Sequence, residues 1–253
     1  MKLHFREYGE GQPMVILHGL FGSSDNWQRI GKELSSRFRV FLVDQRNHGH
    51  SPHSNDFSYE LMSDDLDEFL EENDLEDVIL VGHSMGGKTA MTYTQFDTNR
   101  LAKLVVIDIG PKQYPMHHDT ILEGLHSIDF NVQNTRGKCD VQLAKYVSDV
   151  AVRQFLLKNL YWIEKGQLDW RINLNVLSRE MSQVIAAIDT EVVNLPTLFV
   201  RGELSNYILE SDFLSIKQQF TSARIETISS VGHWVHAEAP QKMLALIGQF
   251  ASE

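Results

Sequence analysis

The sequence predicts an α/β fold: a doubly wound, mostly parallel sheet with a helical cap inserted between late strands. Short apolar runs alternate with segments in which apolar residues recur every three or four positions. Most of the apolar runs are nearly continuous, as in parallel strands that helices cover on both faces. Residues 111–195 show helical patterns and no convincing core strand, and 85 residues are too many for a loop. This segment therefore reads as an insertion into the sheet domain.

Each predicted element follows from its own pattern. Apolar, β-rich runs predict strands at 14–19, 40–45, 78–83, 103–110, 197–202 and 224–233. Apolar residues at helical spacing predict helices at 26–38, 58–75, 85–96, 207–220 and 240–252. Because strands and helices alternate, right-handed crossovers should connect neighbouring parallel strands. We assign residues 1–110 and 196–253 to the core and residues 111–195 to a cap or lid.

Composition and charge limit the partners. The 253 residues are 42% hydrophobic, which is enough apolar material for a sizeable core. A net charge of −11 disfavours nucleic acid and anionic membranes, because an acidic surface repels phosphate. The sequence shows neither a signal-peptide apolar region nor an apolar run of membrane-spanning length. Cys139 is the single cysteine, so an internal disulfide is excluded. We expect a cytoplasmic protein with neither a nucleic-acid nor a membrane partner.

The segment VILVGHSMGG, at 78–87, carries the strongest chemical signal. It places the pattern Gly-x-Ser-x-Gly between a predicted buried strand and a predicted helix, where a tight turn requires small flanking residues. Such a turn raises the Ser84 hydroxyl above the sheet and leaves the Met85 N–H at a helix N-terminus. We interpret Ser84 as a nucleophile rather than as a structural serine.

Four segments together resemble the α/β-hydrolase superfamily over essentially the whole chain. LHGLFGSSDNW at 17–27 is similar to the superfamily's oxyanion loop, and VDQRNHGHS at 43–51 to its Asp-x-Arg-x-x-Gly-x-Ser turn. VGHSMGG is similar to its nucleophile elbow, and VGHWVHAEAP at 231–240 to its histidine loop. Within the superfamily these motifs look most like the small bacterial esterases of the YbfF type. The resemblance implies the α/β-hydrolase fold and an esterase.

The resemblance and the order of the motifs imply a general base and two oxyanion donors. His233 follows a predicted strand and a glycine late in the chain, and a neutral imidazole there would take the serine proton. The neighbouring His236 is a competitor that we interpret as an ordinary neighbour. The Met85 N–H and the Leu20 N–H, with Phe21 in reserve, are the expected donors to a tetrahedral oxyanion.

Other side chains near these motifs receive supporting roles. We expect His18 to brace the oxyanion loop and Trp234, which adjoins the base, to line the substrate pocket. The histidines of HGHSPH lie in a turn that the fold explains, with no cysteine nearby and no helix to array them. The prediction therefore includes no metal and no cofactor.

The acid of the triad is missing from its usual place. In many superfamily members an aspartate stands three residues after the glycine that ends the strand at 197–202, but here Ser205 occupies that position. Asp108 ends an apolar run on the strand that follows the nucleophile strand, and a buried aspartate needs a partner. We assign the acid to Asp108, with Glu203 and a dyad lacking an acid as alternatives. Ser205 then either supports the triad or caps the helix at 207–220.

Together these residues predict a carboxylesterase-type serine hydrolase. It would cleave carboxylic esters, or alternatively thioesters, of short to medium acyl chains through an acyl-enzyme on Ser84. The segment 111–195 holds only 9 basic and 10 acidic residues, and its near neutrality suits an apolar acyl chain. A carbon–carbon bond hydrolase of the same fold and a non-catalytic ligand-binding homologue are the rival interpretations. The physiological ester and the oligomeric state stay open at this point.

Overall fold

The computed structural model describes residues 1–96, 98–116, 118–188 and 191–253. Its strands are β1 (Phe5–Tyr8), β2 (Pro13–Leu17), β3 (Arg39–Val43), β4 (Val78–His83), β5 (Leu101–Ile107), β6 (Leu160–Glu164), β7 (Gln167–Trp170), β8 (Thr197–Gly202) and β9 (Ala223–Ile228). Seven of them form one sheet in the spatial order β1-β3-β2-β4-β5-β8-β9. The edge strand β1 is antiparallel to β3, and all other neighbours in this sheet are parallel. The predicted fold class, a doubly wound and mostly parallel sheet, is confirmed.

Helices cover both faces of the sheet. Those outside 111–195 are α1 (Gln28–Leu34), α2 (Tyr59–Glu72), α3 (Met85–Phe96), α9 (Phe213–Gln219), α10 (Val235–Glu238) and α11 (Pro240–Ser252). Successive residues of a strand point to opposite faces. Met14 and Ile16 of β2 therefore join the cluster that contains α1 and α11, whereas Val15 and Leu17 join the cluster that contains α2 and α3.

Helix α2 illustrates why a predicted helix forms where it does. Ser58 precedes the helix in extended conformation, and its side chain accepts the Leu61 N–H, which is a standard N-cap. Met62, Leu66 and Phe69 then fall on one face at helical spacing and are buried against the core, and the one buried acid of the helix, Asp65, pairs with the buried Arg46. Capping and amphipathic spacing together fix both the start and the orientation of the helix.

The segment 111–195 supplies five further helices within the described residues: α4 (Asp119–His126), α5 (Arg136–Leu143), α6 (Val150–Leu157), α7 (Leu174–Arg179) and α8 (Met181–Ile185). None of its strands joins the seven-stranded sheet in the described part of the chain. It does contain an antiparallel hairpin, β6 paired with β7, that the purely helical interpretation missed. The predicted helical pattern of this segment is therefore wrong at 160–163, where the β-forming residues LYWI start a strand.

Strand β1 is the second element that the sequence did not reveal. Its four residues are largely half-buried, and it lies at the edge of the sheet, so it lacks the continuous apolar run of the inner strands. Phe5 pairs with Val43 and Tyr8 with Val40.

Among the helices that the structure describes, none is long and apolar enough to cross a bilayer.

Candidate active site

The turn between β4 and α3 has the geometry of a nucleophile elbow. Ser84 adopts a φ of +52°, in the left-handed region that costs a non-glycine residue on the order of 1–3 kcal/mol. A Cβ on Gly82 would lie 2.3 Å from the Gly86 carbonyl oxygen, and one on Gly86 would lie 2.5 Å from the Leu17 carbonyl oxygen. Only glycine fits at both flanks. The two glycines therefore allow the strained serine to project from the sheet.

Asp108 lies directly after β5, which pairs with β4 in the sheet. Its side chain is fully buried and its φ is +50°. The His233 Nδ1–H donates to Asp108 Oδ2 at 2.8 Å, and the Gly202 N–H donates to Asp108 Oδ1 at 3.0 Å. The Ser205 hydroxyl also donates to Asp108 Oδ2. Three donors thus offset the cost of burying this carboxylate.

Glu203 and Ser205, the other candidates at the end of β8, lie in different environments. Glu203 is exposed, and its carboxylate accepts the Ser230 N–H at 2.8 Å. Ser205 is buried, and its Oγ accepts the Tyr207 N–H at 3.2 Å while it donates to Asp108. The helical segment begins only at Glu210, so Ser205 does not cap it. Of its two suggested roles, only the contact with the buried carboxylate is present.

Ser84 and His233 line the same cavity. Within the described residues the Ser84 hydroxyl makes no hydrogen bond with His233 or with any other group. Hydrogen bonds between a nucleophile and its base often tighten only when substrate is bound. Because Nδ1 of His233 is held by Asp108, Nε2 is the ring nitrogen that remains to accept a proton.

The backbone amides of Leu20 and Met85, near Ser84, have no acceptor among the described residues. Met85 is the first residue of α3, where helical amides lack an internal partner. The amide of Phe21, the reserve candidate, donates instead to His48 Nε2 at 3.2 Å. Because the Phe21 amide is engaged in this way, the Leu20 amide is better placed than the Phe21 amide to donate to a bound substrate.

As neutral imidazoles, His48 and His18 hold the loop that carries Leu20 and Phe21. His48 donates from Nδ1 to the Arg46 carbonyl at 2.9 Å, and burial lowers its pKa to about 3. His18 donates from Nδ1 to the Gly19 carbonyl at 2.8 Å and accepts the Gln45 N–H on Nε2 at 3.0 Å. Burial also lowers the pKa of His18. The sequence suggested the bracing role of His18 but gave no role to His48.

A largely apolar cavity of about 240 Å³ opens in front of Ser84. One wall comes from the core loops, including Leu20, Trp27 and Trp234, and the opposite wall from Ile121, Val152, Phe155 and Leu156 of the segment 111–195. The Trp234 ring lies 5.7 Å from the Phe155 ring. A cavity of this size with this lining suits a small apolar group.

A cluster of imidazoles forms the inner end of this cavity. The His83 ring lies 4.8 Å from the His233 ring and 4.7 Å from the His236 ring. His236 stacks on Trp27 with ring centroids 4.5 Å apart, and burial lowers its pKa to about 3. His236 is thus a neutral part of the cavity wall, and the Asp108 carboxylate contacts His233 instead.

Lys88 lies behind the elbow on α3, with no exposed surface. Its Nζ donates to the Lys112 carbonyl at 3.2 Å and to the Ala186 carbonyl, near the two ends of the segment 111–195. The rings of Tyr59 and Tyr114 lie 5.8 and 4.9 Å away. Burial lowers the pKa of Lys88 from its ordinary value of 10.5 to about 7.

This pKa predicts how stability depends on pH. Below pH 7 both the folded and the unfolded protein carry the Lys88 proton, so the full cost of burying the charge is present. Between pH 7 and 10.5 the unfolded state binds more protons, so Lys88 raises the free energy of unfolding with pH by up to about 1.4 kcal/mol per unit. Lys88→Met should remove this rise, as measured by urea unfolding from pH 6.5 to 9. The exposed Lys217→Met should keep it, and parallel curves for wild type and Lys88→Met would contradict the interpretation.

Within the described part of the chain, no group of three His, Cys, Asp or Glu side chains is placed to hold a metal ion. Cys139 is free and buried, in α5.

Fold and site together define a hydrolase with a serine elbow and a buried Asp–His pair. Residues 12–240 match the family model described as alpha/beta hydrolase fold, and the chain belongs to this family. It is 37% identical to the sn-1-specific diacylglycerol lipase ABHD11 of Mus musculus over 94% of this chain and 80% of the relative. It is 32% identical to Esterase YbfF of Escherichia coli K12 over the full length of both.

Among solved structures, a marine microorganism esterase is similar with a TM-score of 0.95 and 42% identity, over 98% of this chain and 99% of that chain. These relatives carry esterase or lipase names. The predicted family and the predicted class, a carboxylesterase-type hydrolase, are confirmed by them.

Proposed function

We propose that the protein hydrolyses carboxylic esters of short to medium acyl chains through an acyl-enzyme on Ser84. The observation that carries the proposal is the juxtaposition of the elbow serine and the Asp108–His233 pair at one apolar cavity. The esterase and lipase names of the relatives support the same bond type. Thioesters, whose acyl carbon reacts in the same way, remain the second substrate class.

The proposed first half-reaction forms the acyl-enzyme. His233 Nε2 takes the Ser84 proton as Oγ attacks the acyl carbon, and Asp108 stabilises the imidazolium through Nδ1. The Leu20 and Met85 amides hold the negative charge on the former carbonyl oxygen, which is the largest expected contribution to catalysis. The bond to the leaving alcohol then breaks, and that alcohol takes the proton from His233.

The second half-reaction releases the acid. His233 removes a proton from water, the resulting oxygen attacks the acyl carbon, and the bond to Ser84 Oγ breaks as Ser84 regains the proton. We assign to the segment 111–195 the role of a cap that binds the acyl chain, since four of its apolar side chains face the cavity. A small uncharged or weakly polar ester fits the site. We also propose a cytoplasmic location. The net charge of −11 supports the absence of nucleic-acid and membrane partners.

Covalent labelling tests the nucleophile and the enzyme class together. A fluorophosphonate should modify the wild-type protein, and peptide mass spectrometry should locate the adduct on Ser84. A carbon–carbon bond hydrolase would instead turn over a vinylogous diketone faster than any simple ester. A wild-type protein that neither reacts with the label nor hydrolyses esters would overturn the proposal in favour of a non-catalytic homologue.

An acyl-length series tests the proposed preference. With p-nitrophenyl esters from acetate to palmitate, each methylene that enters the cavity should raise kcat/KM by up to about fourfold, because burying it contributes about 0.8 kcal/mol. The rise should stop at medium chains, when the cavity is full, and palmitate should be poor. A flat series, or a maximum at palmitate, would contradict an acyl site of this size. A matched set of thioesters decides between the two substrate classes.

A further inference from the structure

Tyr207 contacts the proposed general base through its ring. Tyr207 lies in the loop after β8, two residues beyond Ser205, and is half-buried. Its ring stacks on the His233 imidazole with centroids 4.0 Å apart and an angle of 19° between the planes. The same ring lines the cavity in front of Ser84. No side chain of this kind is implied by the motifs that identify the triad.

The backbone of Tyr207 is held from two sides. Its N–H donates to Ser205 Oγ at 3.2 Å, and Ser205 in turn donates to Asp108. Its carbonyl accepts the Tyr114 hydroxyl at 2.8 Å, and that hydroxyl also accepts the Gly110 N–H at 2.7 Å. The ring is thus placed relative to the buried carboxylate by main-chain contacts, which a change of side chain would leave intact.

The stack supplies a restraint that the Asp108 contact lacks. A single hydrogen bond at Nδ1 fixes one atom of the imidazole and leaves the ring free to tilt about that contact. The parallel Tyr207 ring fixes the orientation of the imidazole plane. It also attracts a cation, so it favours the imidazolium that forms when His233 takes a proton.

We propose that Tyr207 is the positioning residue of the general base, holding the His233 ring in plane and stabilising its protonated form. This inference rests on the proposed function of His233. Burial, and then the Asp108 charge, raise the pKa of the Tyr207 hydroxyl to about 12, so the ring stays neutral wherever the enzyme would be assayed. Within the described residues, the titratable side chains around His233 include Asp108, His83 and His236, and the Glu238 carboxylate accepts the amides of the two neighbours of His233, Gly232 and Trp234.

The test compares three variants on one p-nitrophenyl ester from pH 5 to 9. Tyr207→Phe keeps the aromatic face and should stay within about twofold of wild type in kcat. Tyr207→Leu should lower kcat by about 5- to 30-fold with little change in KM, which is the range of a desolvated cation–π contact. Because the imidazolium loses this stabilisation, the acid limb of kcat/KM should move to lower pH by about 0.7 to 1.5 units, the same factor expressed in pH.

The third variant separates electrostatics from shape. Pentafluorophenylalanine at position 207 keeps the size of the ring and reverses its quadrupole, so it should move the acid limb as Tyr207→Leu does, even if the leucine variant folds poorly. A ¹³C-histidine titration of His233 by NMR should show the same shift without any substrate. An unchanged His233 titration in the fluorinated variant, or a Tyr207→Phe enzyme as slow as Tyr207→Leu, would overturn the inference. If the wild type lacks ester hydrolysis, the proposed function fails instead.

Discussion

Replacing Asp108 with asparagine should lower kcat by about 10⁴-fold while the protein stays folded. Asp108 is fully buried and accepts from Gly202, Ser205 and His233. Asparagine has one oxygen and one NH₂ group in place of two acceptors. If the asparagine oxygen keeps accepting the Gly202 N–H, the asparagine NH₂ group faces His233 Nδ1. Nδ1 must then accept a hydrogen bond instead of donating one. The proton then sits on Nε2, which can no longer take the serine proton.

The matched control is Glu203→Gln. Glu203 is the alternative acid that the sequence offers, but it is exposed and accepts the Ser230 N–H. The kcat of the Glu203→Gln enzyme should stay within a few-fold of wild type. Circular dichroism and a thermal melt confirm that both variants are folded. An Asp108→Asn enzyme near wild-type activity beside an inactive Glu203→Gln enzyme would move the acid to Glu203.

Topology and charge in the sequence point to the same candidate acid, Asp108. Asp108 is a lone carboxylate in an apolar run, and its strand was expected beside the nucleophile strand. The sheet has β5 between β4 and β8, as that argument requires. Continuous apolar runs of this kind identify buried parallel strands well, since both faces need apolar side chains. The half-exposed β1 and the β6–β7 hairpin lack that signature, so the sequence missed them.

Contacts between distant loops were beyond the sequence. The Tyr207–His233 stack joins residues from the loops after β8 and β9. The His48–Phe21 bond likewise joins two loops, and it distinguishes the Leu20 amide from its neighbour. Such contacts depend on the relative height and tilt of loops, which no local pattern encodes. A motif indicates which chemistry a side chain can perform. The packing of the loops determines which other side chains it contacts.

Replacing Ser84 with alanine should lower kcat by about 10⁶-fold, the larger of the two effects, and abolish fluorophosphonate labelling. The Ser84 hydroxyl makes no hydrogen bond within the described residues, so alanine leaves no buried group unpaired. The backbone at φ +52° is equally strained with either side chain, and the melting temperature should change little. Residual hydrolysis would come from the Leu20 and Met85 amides, which the substitution leaves in place.

The double variant Ser84→Ala/Asp108→Asn turns these two effects into a test of the mechanism. In the proposed mechanism Asp108 acts on the substrate only through His233, and each proton transfer by His233 serves the formation or the breakdown of the acyl-enzyme on Ser84. Once Ser84 is gone, removing Asp108 should cost almost nothing more, so the double variant should be about as slow as Ser84→Ala alone. If the two losses add, Asp108 contributes by a route that does not pass through the serine, for example by orienting a water for direct attack. Single-turnover assays at high enzyme concentration measure both slow rates, and equal rates would support one catalytic unit.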